Sequence, residues 1–201
     1  MPKIIDQEAR RKLIAETVVR IVGTRGIEAA SVRTVAAEAG VSAGAVQRCF
    51  ATKDELLRFV LHHLNARFTE RVLARMAQTP DPTDEAAGLR VIIDEMLPFD
   101  AERRLTSAAT LALLAYSTTE PLAAEIMRSA YNGAYTFFVR AFDRETAIRL
   151  YAVISGLQGP LLVAAITPAQ AQSIVETAIT AARPASPSEP PAPPTAGTAD
   201  T

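Results

Sequence analysis

The chain has 201 residues, 49% hydrophobic and 21% charged, the balance of a soluble globular protein of one or two domains. A single cysteine, Cys49, excludes an internal disulfide framework and fits a reducing compartment, while the absence of Trp and the 5% of aromatics in an alanine-rich chain favour packed helices. A net charge of −1 excludes a uniformly basic nucleic-acid binder, yet residues 1–53 hold nine Lys/Arg against five Asp/Glu and residues 54–201 hold twelve against seventeen, so a positive N-terminal module precedes an acidic body.

The opening segment lacks the unbroken apolar run of a signal peptide, because Asp6, Glu8 and the basic run Arg10 to Lys12 interrupt it; a cytoplasmic protein is expected. Helical periodicity starts at once. Ile14, Val18, Ile21 and Val22 share a face, and Gly23 and Gly26 read as brackets around the helix end.

The stretch SVRTVAAEAGVSAGAVQRCF, residues 31–50, divides into two short helices. Ser31 is placed to cap the first, with Val32, Val35, Ala36 and Ala39 on its inner face. Gly40 stands at the turn, where positive φ carries no steric cost, and Ser42 is placed to cap the second helix. Val46 points inward towards Val35 and Ala36, and the small side chain of Ala36 allows a tight crossing. This is the spacing of a helix-turn-helix, whose second helix enters the major groove of DNA. Its outward residues are Ser42, Ala43, Gly44, Gln47 and Arg48. Gln pairs bidentately with adenine and Arg with guanine, while small residues keep the backbone close to the bases.

Farther on, Leu57, Leu61, Leu64, Phe68 and Val72 step by three and four and predict one long helix over 53–78. Leu89, Ile92, Ile93 and Met96 mark another that Pro98 stops, a further helix follows from residue 99, and Pro121 opens the next. Leu150 to Val175 is uncharged, but Gly156, Gly159, Pro160 and Pro168 break it, so two buried helices, 143–165 and 168–182, are expected rather than a membrane span. These two carry more apolar surface than one subunit hides, and Ser155, Gly156 and Gly159 leave room for a neighbouring helix; a twofold homodimer through them is the economical arrangement. Residues 184–201 hold six prolines and no large apolar residue, which predicts a disordered tail.

The expected fold is all-α, with about nine helices. A helix-turn-helix domain of three helices over 1–52 precedes a helical ligand-binding and dimerisation domain over 53–183. His62 and His63 point about 100° apart on a helix and read as surface histidines rather than a metal pair. No Ser/His/Asp arrangement, HExxH, CxxC or Gly-rich phosphate loop occurs, so neither catalysis, a metal nor a cofactor is expected.

With these motifs in place, residues 26–57, GIEAASVRTVAAEAGVSAGAVQRCFATKDELL, resemble the DNA-binding domain of TetR-type transcriptional repressors, and RRKLIAETVVRIVGTRG matches that family's first helix. The segments LPFDAERRLTSAATLALLAYSTTEPLAAEIMRSAY and GLQGPLLVAAITPAQAQSIV resemble the C-terminal domain of the betaine-regulator-like (BetI) subgroup. The resemblance implies phosphate contacts from Ser31, Arg33 and Thr34 on one side and from Thr52 and Lys53 on the other, the latter at a helix N-terminus. Two positions depart from the family pattern: Gln47 stands where Tyr is usual, which shifts that position towards base readout, and Cys49 stands where His or Tyr is usual, which removes a phosphate hydrogen bond. The thiol is read as a small packed group beside Phe50 rather than a redox sensor.

The resemblance further implies a small-molecule effector, for which Met96, Thr110, Leu113, Tyr116, Tyr131, Tyr135 and Phe138 are candidate lining residues that favour a largely apolar or aromatic ligand. The functional expectation is a homodimeric repressor that leaves a palindromic double-stranded operator when its effector binds. The rivals are an activator, and a helical small-molecule-binding protein or enzyme that does not bind DNA.

Overall fold

A computed structural model describes residues 7–81 and 84–182. Nine α-helices form among the described residues, with no β-strand: α1 (Gln7–Arg25), α2 (Val32–Ala39), α3 (Ala43–Cys49), α4 (Lys53–Met76), α5 (Glu85–Met96), α6 (Ala101–Ser117), α7 (Pro121–Phe138), α8 (Arg144–Leu162) and α9 (Pro168–Ala181). A 3₁₀ turn, Ile27–Ala29, joins α1 to α2. The Pro-rich segment 184–201 lies outside the described residues.

Most helix starts are set by one polar side chain that accepts a free backbone N–H. Ser31, Ser42, Thr52, Asp100, Asp143 and Thr167 each accept from the residue three positions on, and Asp84 accepts from Ala86 and Ala87. Thr167 and Gln170 complete a reciprocal capping box on α9. At Asp100 the Arg103 backbone N–H, ahead of the Arg103 side chain, holds the carboxyl below its usual range. The end of α8 is closed differently: the Arg104 guanidinium donates to the carbonyls of Leu161 (3.1 Å) and Leu162 (2.8 Å), pinning α6 to α8.

Two apolar cores form. The first gathers Ile14, Val18 and Ile21 of α1, Val35 and Ala36 of α2, Val46 of α3, and Leu56, Leu57, Val60 and Leu61 of α4. It continues into the body through Ala109 and Leu113 of α6 and Met127 of α7, so the apolar interior runs unbroken past residue 52. The second gathers Val72, α5, Phe138 and the inner faces of α8 and α9. Helix α4 belongs to both: Leu56 and Val60, with Leu57 and Leu61, are buried in the first core, and Val72 in the second.

Helix α1 ends at Arg25, between Gly23 and Gly26. Gly23 lies inside that helix against α6, and a Cβ built on it falls 2.5 Å from the Leu105 carbonyl oxygen. Glycine here permits close approach of two backbones, whereas Gly26, with φ +82°, makes the turn after the helix. Val32, expected on the inner face of α2, is 38% exposed; α2 has only eight residues, and Val35 and Ala36 alone are buried.

Candidate nucleic-acid interface and effector cavity

Gly40 adopts the left-handed conformation (φ 66°, ψ 30°), and the Val41 N–H donates to Ala36 O at 3.0 Å, which turns the chain sharply out of α2. Ser42 then starts α3 by accepting from the Ala45 N–H at 3.1 Å. Val35, Ala36, Ala45 and Val46 fill the crossing, all less than a tenth exposed. That packing consumes one side of α3 and leaves Ser42, Ala43, Gln47 and Arg48 exposed, with Gly44 half-buried. Gln47 and Arg48 take part in no hydrogen bond or ion pair among the described residues. Arg48 lies back along its own helix, with Nη1 3.6 Å from where a Cβ on Gly44 would stand.

The flanking positions are already oriented. Ser31 Oγ accepts from the Thr34 N–H (3.1 Å) and lies 2.8 Å from Thr34 Oγ1, while Arg33 is exposed beside them. Beyond α3, Thr52 caps α4 through the Glu55 N–H at 3.0 Å, and Glu55 in turn accepts from the Ala51 N–H at 2.8 Å. Lys53 is exposed, its Nζ 5.6 Å from the centre of the Tyr116 ring. Ser31, Arg33, Thr34, Thr52 and Lys53 therefore occupy the two N-termini that flank α3. Cys49 is buried, 4% exposed, beside the first core.

Sequence periodicity missed the residues that brace this unit. The Arg11 guanidinium stacks 4.5 Å from the Phe50 ring and 4.7 Å from the Phe59 ring, and reaches Glu55 at 3.4 Å. One arginine of α1 thus joins the end of α3 to α4. Arg25 pairs with Glu38 across α1 and α2. His63, expected on the surface, is largely enclosed against α1, with Nε2 3.9 Å from Glu16 and without a hydrogen bond. Desolvation lowers its pKa against the opposing pull of Glu16.

Along the middle of α4 a cavity of about 290 Å³ opens between α4, α5, α6, α7 and α8. Four expected residues line it: Met96, Thr110, Tyr131 and Phe138. Three do not. Leu113 faces the other way, into the core shared with α1. Tyr116 sits at the end of α6, where its hydroxyl donates to Asp54 at 3.3 Å. Tyr135 stands behind the wall, its ring 4.9 Å from that of Tyr151 and 6.4 Å from that of Tyr131. Helical phase explains this division: an apolar residue on α6 or α7 is buried whether it faces the cavity or the solid core, and only the packing partners separate the two.

The cavity also uses Phe68, Arg71, Glu95, Tyr151, Ser155 and Gln158. Ser155, expected on an outer face with Gly156, points inward with Tyr151 and Gln158, one helical turn to either side. Burial pushes the Tyr151 hydroxyl up to about 12, against the lowering effect of nearby Ser155, and burial raises Tyr131 as well. These phenols are neutral donors at physiological pH. Glu95 is enclosed, its side chain 5% exposed, and accepts from Arg71 Nε at 2.9 Å and Arg75 Nη1 at 2.8 Å. The bond to Glu95 is the leading cause that raises the Arg75 pKa. Asp94 extends this network to Arg75 and, at 3.2 Å, to Arg103.

On α8 and α9, Ile148, Val153 and Ile174 remain exposed, as does Val163 just after α8, and Cβ atoms built on Gly156 and Gly159 meet nothing within 4 Å. Among the described residues no group of three or more His, Cys, Asp or Glu is placed to hold a metal ion, and no helix is long and apolar enough to cross a membrane.

Comparison with known proteins agrees with this architecture. Residues 14–60 match the family described as bacterial regulatory proteins, tetR family, and residues 85–184 match the C-terminal domain of BetI-type transcriptional repressors. The HTH-type transcriptional regulator PksA of Bacillus subtilis is 31% identical over 171 residues, covering 78% of this chain and 80% of its own. A transcriptional regulator from Rhodococcus sp. Rha1 superposes with a TM-score of 0.74 at 27% identity, covering 85% of this chain and 94% of its own. The multidrug binding protein EbrR, solved with imidazole and with ethidium, superposes at 0.65 with 29% identity over 85% of this chain and 93% or more of its own. These relatives are regulators or binding proteins, not enzymes. The chain, with its helix-turn-helix at α2–α3 and its BetI-type helical body, belongs to the TetR family of DNA-binding transcriptional regulators.

Proposed function

We propose that the protein is a homodimeric repressor that releases its operator when a small molecule enters the cavity. The observation that carries this reading is the continuity of α4: one helix begins at Thr52, directly after the recognition helix, and its residues Leu61 to Arg71 form a wall of the cavity. A ligand that displaces this wall moves the same rigid rod that seats α3. Arg67 reinforces the link, reaching Glu16 of α1 at 3.4 Å and Glu102 of α6 at 2.6 Å. Release requires that the ligand bind the DNA-incompetent arrangement more tightly than the competent one.

In this reading Gln47 and Arg48 contact base edges, with Ser42, Ala43 and Gly44 close to the groove floor. Ser31, Arg33, Thr34, Thr52 and Lys53 hold phosphates. The exposed apolar face of α8 and α9 pairs with a second copy, placing two α3 helices roughly 34–36 Å apart in successive major grooves. The ligand-binding of EbrR lends support to an effector site in the helical body.

The test begins with selection of bound sequences from random DNA, followed by titration of the selected duplex over a metabolite panel. A palindromic site, bound by a dimer and freed by one compound, is the expected result. Binding without sequence preference, or a duplex complex that no cavity-binding compound weakens, refutes the reading.

A further inference from the structure

The cavity wall contains two charged side chains, Glu95 and Arg71, and they differ in how completely they are used. Both oxygens of Glu95 are occupied, Oε2 by Arg71 Nε and Oε1 by Arg75 Nη1, and Arg103 Nη1 stands 3.8 Å away. A cation entering the cavity meets a carboxylate that is already neutralised and hydrogen-bonded. Arg71 is incompletely paired. Its Nη1 is buried and has no hydrogen-bond partner; the Glu102 carboxylate stands 3.8 Å off, too far for a hydrogen bond. A buried guanidinium N–H without an acceptor is unfavourable, and a small turn of the group would present it to an acceptor in the cavity. On α8, Ser155 Oγ is buried beside the Tyr151 hydroxyl. The remaining wall is mostly apolar and aromatic, with Phe68, Met96, Phe138, Tyr131 and Tyr151. Its volume of about 290 Å³ suits a small, compact molecule.

We propose that the cavity receives a carboxylate-bearing ligand with an aromatic or hydrocarbon body, and that its carboxylate takes the Arg71 guanidinium from Glu95. The regulatory part rests on the reading of this cavity as the effector site. Arg71 and Arg75 lie one turn apart on α4 and together grip Glu95 on α5. A ligand carboxylate that draws Arg71 away leaves this grip to Arg75 alone and loosens α4 from α5. The aromatic wall holds the body of the ligand, and the neutral phenols of Tyr131 and Tyr151 add donors without repelling an anion. Ligand charge is thereby read by the same residue that ties the rod to the body.

The full chain, without DNA, is titrated calorimetrically with two matched probe pairs: 2-naphthylacetate against (2-naphthyl)methyl-trimethylammonium, and phenylacetate against benzyl-trimethylammonium. At least one carboxylate is expected to bind at least about tenfold tighter than its cationic partner, the worth of one charge-assisted hydrogen bond. Arg71→Gln should erase that preference, and Glu95→Gln, which weakens the competitor, should strengthen carboxylate binding. If Arg71→Gln does not fold, the charge preference of the natural chain and the Glu95→Gln response decide the matter. Equal or tighter binding of the cations, no binding by any probe, or weaker carboxylate binding in Glu95→Gln overturns the proposal. A second arm follows the selected operator duplex by fluorescence anisotropy. Charge-selective binding that leaves the duplex bound overturns the loosening of α4 and the effector reading, while the ligand class stands. Charge-indifferent binding that frees the duplex overturns the ligand class alone.

Discussion

Gly23→Ala tests how rigidly the DNA-binding helices are held to the body. The added Cβ would stand 2.5 Å from the Leu105 carbonyl oxygen and 2.8 Å from Leu105 Cδ1, whereas ordinary contact begins at 3.4 Å. The Cδ1 atom can rotate away, but the carbonyl belongs to α6 and moves only with the helix, so α1 and α6 must separate by up to about 0.9 Å. Overpacking of this kind costs about 1–3 kcal/mol, and Ala regains about 1 kcal/mol of helix propensity over Gly. A backbone obstacle places the cost near the upper end, leaving a net loss of about 1–2 kcal/mol and a fall in Tm of roughly 3–6 °C for a chain of this size. Gly133→Ala on α7 is the matched control: its Cβ meets nothing within 4 Å, so propensity alone acts and Tm should rise by about 1–3 °C. Both are read by differential scanning calorimetry at one protein concentration, because the Tm of a dimer, the proposed state, would depend on concentration. A Gly23→Ala protein that melts at or above the natural one would show that the α1–α6 contact yields freely, and that the close approach at Gly23 does not fix the two helices rigidly.

Three further outcomes are expected. Arg48→Ala and Gln47→Ala should each remove about 1–3 kcal/mol of discrimination at one base pair, while Lys53→Ala should weaken all sequences alike and reduce the salt slope by about 1, both measured by anisotropy across a salt series. The His63 pKa is lowered in the folded chain from 6.5, so below that value the unfolded chain binds more protons; stability should fall as pH drops through 6.5 towards the folded pKa, and His63→Gln should flatten this part of a melting profile between pH 7.5 and 5.5. Val153→Glu with Ile174→Glu charges the exposed face of α8 and α9 and should convert a dimer to monomer by analytical ultracentrifugation; an undiminished dimer would move the interface elsewhere.

What local physics dictates was legible in the sequence. Ser31 and Ser42 cap helices because a hydroxyl beside a free N–H acts over three residues, and Gly40 turns because its own φ must be positive. The exposure of Gln47 and Arg48 follows from the burial of Ala45 and Val46 within the same short helix. Tertiary structure alone decided which of two buried faces a residue serves. Leu113 and Thr110 lie one turn apart on α6, yet one fills the core against α1 and the other borders the cavity. The packing role of Gly23 was not legible because it depends on Leu105, 82 positions away. The Arg71–Glu95–Arg75 grip and the enclosure of His63 by Glu16 join residues distant in the chain; Coulomb attraction and desolvation act through space, and periodicity along one helix carries no information about what stands across from it.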